Sequence, residues 1–314
     1  MIQKCLHIIP LILSFSLFAV SQVQSQEFPG SLQYATNLQR LNPAFVGMWG
    51  KSGIYVSSRT SWVGINKAPL SQQFTWYSSV KNQKSAFGFN LERQSIGREN
   101  RLFFTADYSC LIRLDWSHYF RFGLKSGIVN FDNSLKNYQL YPDFISDPEY
   151  ANNVRLYYMT VFGIGAIYFC DNYYLSCSIP QVIVNGFKVN RSDLSNSPEL
   201  VTAYFSGGYV FQLPKSIRIR PSILLVKTAG KSLGIDVSAL IYWPENLQLG
   251  VGLRNDGFVC FSGQYSFRNN LKVGYAIGYS MTPDIRKYQL GSGEITLQYV
   301  FNPNKRMYVK PTYF

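Results

Sequence analysis

Between residues 52 and 301 the chain repeatedly alternates apolar and polar positions with a period of two, the signature of strands with two unlike faces. Leu271, Val273, Tyr275, Ile277 and Tyr279 share one face, with Lys272, Gly274, Ala276, Gly278 and Ser280 opposite. Leu233, Ile235, Val237, Ala239 and Ile241 stand against Gly234, Asp236 and Ser238, and Leu247, Leu249, Val251 and Leu253 against Gln248, Gly250, Gly252 and Arg254. Near 102–114, Leu102, Phe104, Ala106, Tyr108, Cys110, Ile112 and Leu114 oppose Thr105, Asp107, Ser109 and Arg113. These runs of about 9–12 residues exceed the 5–6 usual in soluble strands and suit the 9–11 of a tilted membrane-crossing strand. An apolar, aromatic face beside a polar, glycine-rich one predicts a barrel with lipid outside and water or a plug inside. A soluble β-sandwich would bury the apolar face between sheets. Strand length, low charge and an export leader favour the barrel.

The pattern predicts about fourteen strands, near 52–63, 72–80, 85–94, 101–114, 119–130, 155–170, 173–183, 199–212, 216–227, 232–243, 247–254, 258–267, 271–281 and 293–301. Short connections follow strands six, eight, ten and twelve: Asp171-Asn172, Leu213-Pro214-Lys215, Pro244-Glu245-Asn246 and Arg268-Asn269-Asn270. Longer ones, 131–154, 184–198 and 282–292, follow odd strands. The expected fold is therefore all-β: one transmembrane antiparallel outer-membrane barrel with short periplasmic turns and longer extracellular loops. An even strand count places both termini in the periplasm. On this reading Ile277→Arg disrupts the lipid face, whereas Gly278→Ser on the lumen face is mild.

Residues 1–25 read as a signal peptide: Lys4, an apolar run from Cys5 to Val20, then small residues for cleavage at Ser21 or Ser25. This divides the chain into a leader (1–25), an N-terminal periplasmic segment (26–51), the barrel (52–301) and a C-terminal periplasmic tail (302–314). Composition agrees: of 314 residues 46% are apolar and 16% aromatic, but only 15% charged. With a mean hydropathy of −0.05 and no later apolar run near 20 residues, a helical membrane protein is excluded. The net charge of +13 falls by one when Lys4 leaves. Export removes the usual nucleic-acid partner of such basicity, which suits anionic lipid or lipopolysaccharide phosphates, or an ordinary solvated surface. Of the four remaining cysteines, Cys170 and Cys177 flank a turn, but one lies roughly 13 Å along the strand from the other's cross-strand partner. That is beyond disulfide reach, and both are expected to be free.

Little catalytic chemistry is available. His118, the one histidine after the leader, stands beside Asp115 and Ser117 in a turn, and sequence neighbours rarely assemble a triad. Cys/His spacing offers no zinc site, and Gly163-x-Gly165 lacks its third glycine and lies in a strand. Asp147 and Glu149, in the longest loop, read as solvated charge before calcium ligands. No catalytic, cofactor-binding or metal residue is assigned. The inward candidates Asp107, Arg113, Arg121, Lys125, Arg218, Arg220, Asp236, Arg254 and Lys272 either set pore selectivity or form salt bridges in a closed barrel.

One stretch is distinctive: Gln33-Tyr34, Asn42-Pro43-Ala44-Phe45-Val46-Gly47, Trp62-Val63-Gly64 and Ala68-Pro69. Asn-Pro imposes an extended or turn conformation, and Gly47 permits a tight bend beside it. With the export leader, the strand repeat and the closing Gly293-Glu294-Ile295-Thr296-Leu297-Gln298-Tyr299-Val300-Phe301, the chain closely resembles the PorP/SprF family of type IX secretion system membrane proteins of Bacteroidetes. The resemblance implies an integral outer-membrane component without enzymatic activity. Its implied partners are periplasmic ring proteins, a peptidoglycan-binding protein, or secreted cargo. Asn42, Pro43, Gly47, Trp62, Gly64 and Pro69 match the family motif in a structural or interaction role. Phe45 and Trp49 are candidate anchors for a periplasmic partner, with Lys305, Arg306 and Lys310 steering encounter. The alternatives are that 26–51 plugs the barrel, and that the protein is a channel for small solutes.

Overall fold

The structure, a computed structural model, describes residues 31–48, 51–80, 84–134, 153–184, 201–244, 246–267, 270–281 and 290–301. The leader, the tail with Lys305, Arg306 and Lys310, Trp49, Asp147 and Glu149 lie outside them. The strands are β1 Ser52–Thr60, β2 Leu70–Ser79, β3 Ser85–Ile96, β4 Glu99–Arg113, β5 Tyr119–Asn133, β6 Val154–Phe169, β7 Tyr173–Val184, β8 Thr202–Tyr209, β9 Phe211–Gln212, β10 Arg218–Thr228, β11 Leu233–Trp243, β12 Leu247–Arg254, β13 Phe258–Phe267, β14 Leu271–Ser280 and β15 Ser292–Phe301. All pairings are antiparallel between neighbours, and β1 pairs with β15 from Ser52↔Phe301 to Thr60↔Gly293. That pairing closes the barrel and leaves no open edge in the bilayer.

Segments β8 and β9 both pair with β10 and make one wall strand, so the barrel has fourteen. The sequence pattern ran through this strand without a break. In the structure the gap between β8 and β9 faces Pro221 of β10, which has no N–H for the ladder. The Val210 side chain is buried in the lumenal core and its N–H donates to Asn172 O at 2.7 Å, continuing the pairing with β7.

Connections at one end, 80–84, 114–118, 170–172, 213–217, 244–246 and 268–270, are all five residues or fewer. The other end carries the long ones, 61–69, 134–153, 185–201 and 281–291, along with the tight turns 97–98, 229–232 and 255–257. Ser52 and Phe301 both lie at the short-turn end. Lengths also differ around the wall: β4, β5 and β6 run 15, 15 and 16 residues, whereas β12 to β15 have 8 to 10.

Period two sorts the faces. Val237, Val251, Tyr275 and Ile295 point outward, while Thr105, Asp107, Glu294 and Thr296 are buried in the lumen. Aromatic pairs Phe120–Phe122, Tyr209–Phe211, Tyr265–Phe267 and Tyr299–Phe301 ring the short-turn end, with centroids 4.4 to 5.2 Å apart. Such girdles mark the lipid–water boundary.

The lumen face is not uniformly tolerant, which corrects the expectation for Gly278. A Cβ there would run into the Phe258 ring and approach Leu32 at 3.0 Å. At Gly252 the nearest atoms to a Cβ lie at 3.8 Å. Ile277→Arg is expected to cost about 2–4 kcal/mol near the midplane, by denaturant titration in detergent. Gly252→Ser should stay within about 0.5 kcal/mol of wild type, and Gly278→Ser should lower the unfolding midpoint more than Gly252→Ser does, because the Phe258 ring must shift to admit it.

Candidate functional site

The sequence reading put residues 26–51 in the periplasm; the structure puts 31–48 of them inside the barrel. This segment, here the strap, has three 3-10 turns, Tyr34–Thr36, Leu38–Arg40 and Pro43–Phe45, and no strand pairing. Its apolar side chains Tyr34, Leu38, Leu41, Phe45 and Met48 form one core with wall residues Ile167, Phe169, Tyr174, Val210 and Leu224. A folded segment with this much apolar surface is driven out of water, and the lumen is where it is covered.

The strap begins toward the long-loop end. The Glu294 carboxylate accepts from Ser31 Oγ at 2.8 Å, from the Gln33 N–H at 3.3 Å and, more closely, from the Leu32 N–H. Cys260 Sγ contacts Leu32 O at 3.6 Å. Tyr34 OH donates to Asp236 at 2.7 Å, and Arg254 Nε holds the other oxygen of that carboxylate at 2.8 Å. Arg220 donates to Ala35 O at 2.8 Å. Farther on, Gln39 reaches Asp107 at 3.0 Å, a carboxylate also bound by Asn90 at 2.6 Å and paired with Lys125 at 3.6 Å. Arg40 pairs closely with Glu92.

The family-like motif forms the foot. Asn42 Oδ1 accepts from the Ala44 N–H at 2.8 Å, a cap for the turn that Pro43 opens at its first position. Its Nδ2 donates to Ala166 O and Cys177 O, at 3.0 and 3.1 Å, pinning the turn to β6 and β7. Two wall glycines make room. A Cβ on Gly165 would overlap Asn42 Oδ1, and one on Gly123 would overlap the Pro43–Ala44 backbone. Phe45 meets Tyr174 edge-on at 5.7 Å. Val46 O is held by Arg121 Nη1 and Ser109 Oγ, each at 2.7 Å. Gly47, at φ 76°, then turns the chain beside Ala86 and Ser79 at the short-turn end, toward β1.

The remaining motif residues are elsewhere. Trp62, Gly64 and Pro69 lie in the β1–β2 connection at the opposite rim, where Val63 exchanges backbone hydrogen bonds with Leu290 and Gly291. Ser61 N–H donates to Pro69 O at 2.9 Å. The motif is thus two sites, one at the foot of the strap and one on the long-loop rim. Phe45, expected on a partner surface, is 1% exposed, because the lumenal core covers it. Of the inward candidates, Asp107, Arg121, Lys125, Arg220, Asp236 and Arg254 seat or flank the strap, but Arg113 is exposed over the Trp116 ring. Arg218 and Lys272 are half-buried. Glu92 and Glu294 were missed, although Glu294, Thr296 and Gln298 alternate on one face of the closing strand.

His118 Nδ1 faces both Ser117 Oγ at 3.2 Å and Asp115 at 4.0 Å, and one ring nitrogen cannot serve both triad bonds. All four cysteines of the described residues are free.

The profile of the family described as type IX secretion system membrane protein PorP/SprF matches residues 23–299, and the chain belongs to that family. It is an integral outer-membrane protein. No curated protein matches the chain. Among solved structures it is similar to the outer membrane protein Omp33 of Acinetobacter baumannii, at 11% identity and TM-score 0.46, over 80% of this chain and 99% of that one. A deletion mutant of the monoaromatic hydrocarbon channel TodX gives 12% and 0.49, over 85% and 94%. The KdgM porin gives 9% and 0.41, over 79% and 99%.

Asn42→Ala removes a cap and two wall contacts at once. It is expected to loosen the foot by about 1–3 kcal/mol, seen as faster proteolysis between residues 40 and 51 with unchanged barrel migration. Gln39→Ala, more distant from the turn, should affect that cleavage less.

Proposed function

We propose that the protein serves the type IX machine as a sealed, non-enzymatic barrel that ties periplasmic components, or secreted cargo, to the outer membrane. Ring proteins and a peptidoglycan-associated protein are the partners this reading implies. The observation that carries it is the occupied lumen. Conduction of small solutes requires a continuous water-filled path, and the strap crosses that path from the β13–β15 wall to the β3–β6 wall.

With Phe45 buried, the periplasmic surface available to a partner is the set of short turns. The β4–β5 turn supports the best contact: Trp116 is 87% exposed, Leu114 59%, and Arg113 stacks on the indole at 5.2 Å. An exposed aromatic backed by arginine is the usual composition of an interface anchor. The tail, with Lys305, Arg306 and Lys310, would steer encounter, and its contribution should weaken with salt.

Gene deletion should leave type IX cargo inside the cell with small-solute uptake unchanged, and the purified barrel should show no stable single-channel conductance. Normal export with reduced uptake would establish the channel instead. Trp116→Ala should reduce co-purification of periplasmic partners several-fold, more than truncation after Phe301, with heat-modifiability intact.

A further inference from the structure

We infer that the lumen is a polypeptide-binding site: the strap is its resident ligand, and the same site accepts a matching segment from another polypeptide. The strap is not part of the barrel ladder, and ring closure by β1 and β15 involves none of its residues. The wall meets it as a receptor meets a peptide, through main-chain atoms as well as through the side chains of Tyr34, Gln39, Arg40 and Asn42. Glu294 accepts the Leu32 and Gln33 N–H groups, and Arg220 donates to Ala35 O at 2.8 Å. Ser178 donates to Leu41 O at 2.7 Å, and Arg121 and Ser109 share Val46 O. Any polypeptide presents these groups, so they supply affinity with little sequence demand.

Selectivity comes from three places where the wall is moulded to one chain path. Gly88 leaves room for Gln39, Gly165 for Asn42, and Gly123 for the Pro43–Ala44 backbone. The Tyr174 edge then selects an aromatic ring two residues after the proline, as Phe45 supplies. The ligand class is a polypeptide segment able to fold into consecutive 3-10 turns, the last of them an Asn-Pro-small-aromatic turn. Such a segment can enter only when the strap leaves, so the strap also competitively inhibits its own site. Both readings start from the occupied lumen, but this inference does not require the coupling role proposed above, because no periplasmic turn takes part in it.

The test uses the full chain with a protease recognition sequence inserted between Gly50 and Lys51, cut after purification. Heat-modifiable migration verifies the barrel, and a urea wash below its unfolding midpoint removes the severed strap. A fluorescent synthetic peptide of residues 31–48 should then bind saturably, one per barrel. The peptide carrying Asn42→Ala and Phe45→Ala should bind at least tenfold more weakly, and uncut barrel should take up none. A barrel that unfolds before releasing the strap overturns the inference. So does an emptied, folded barrel that ignores the peptide or takes up a scrambled sequence equally well. Normal peptide binding with unaffected cargo export would sustain this inference and remove the secretion role.

Discussion

A chain segment inside a barrel at membrane depth needs a partner for every backbone group, and the strap has no ladder to provide them. Its own 3-10 turns satisfy many of them, and wall side chains take main-chain atoms that the turns leave over, among them the Gln33 N–H and the Ala35, Leu41 and Val46 carbonyls. Glu294 at one end and Arg121 with Ser109 at the other hold main-chain atoms about which the remaining contacts are arranged. An unpaired carbonyl or amide in that setting would cost about 1–3 kcal/mol. These few polar side chains therefore decide whether the lumen is filled, and hence what the barrel can do.

The same requirement explains the lumenal charges. Three wall carboxylates meet cations: Asp107 with Lys125, Asp236 with Arg254, and Glu92 with Arg40 of the strap. The sequence left open whether inward charges set pore selectivity or formed salt bridges; these pairs are salt bridges. Buried pairs of this kind add little net stability. Breaking one by removing a partner typically costs about 3–5 kcal/mol. They act here as a register device, because Tyr34, Gln39 and Arg40 each fit a different carboxylate.

The barrel was legible in the sequence because period-two alternation is a local property that repeats. Strands, faces and the short-turn end follow from it with shifts of a few residues. The strap was not legible, because its 3-10 turns span three residues each and show no periodicity. Its apolar residues read equally well as a surface anchor. Asn42-Pro43 announced a turn, but the turn's place depends on Gly123 and Gly165, which look like ordinary lumenal glycines until the strap lies against them. Glu294 stands out in its strand only once a partner some 260 positions away is known. Gly278 is more crowded than its strand pattern suggests, because the Phe258 ring of β13 faces it first and Leu32 of the strap second.

The most direct test of the filled lumen is hydrogen exchange of the purified protein in detergent, followed by mass spectrometry of peptides covering 31–48. The account expects the Leu41, Asn42, Ala44, Phe45, Val46 and Met48 amides, which donate to Leu38 O, Asn42 Oδ1 and O, Pro43 O and Phe45 O within the buried strap, to exchange as slowly as those of β5 and β6. Exchange of this segment at the rate of an unstructured peptide, with the strands still protected, would contradict it.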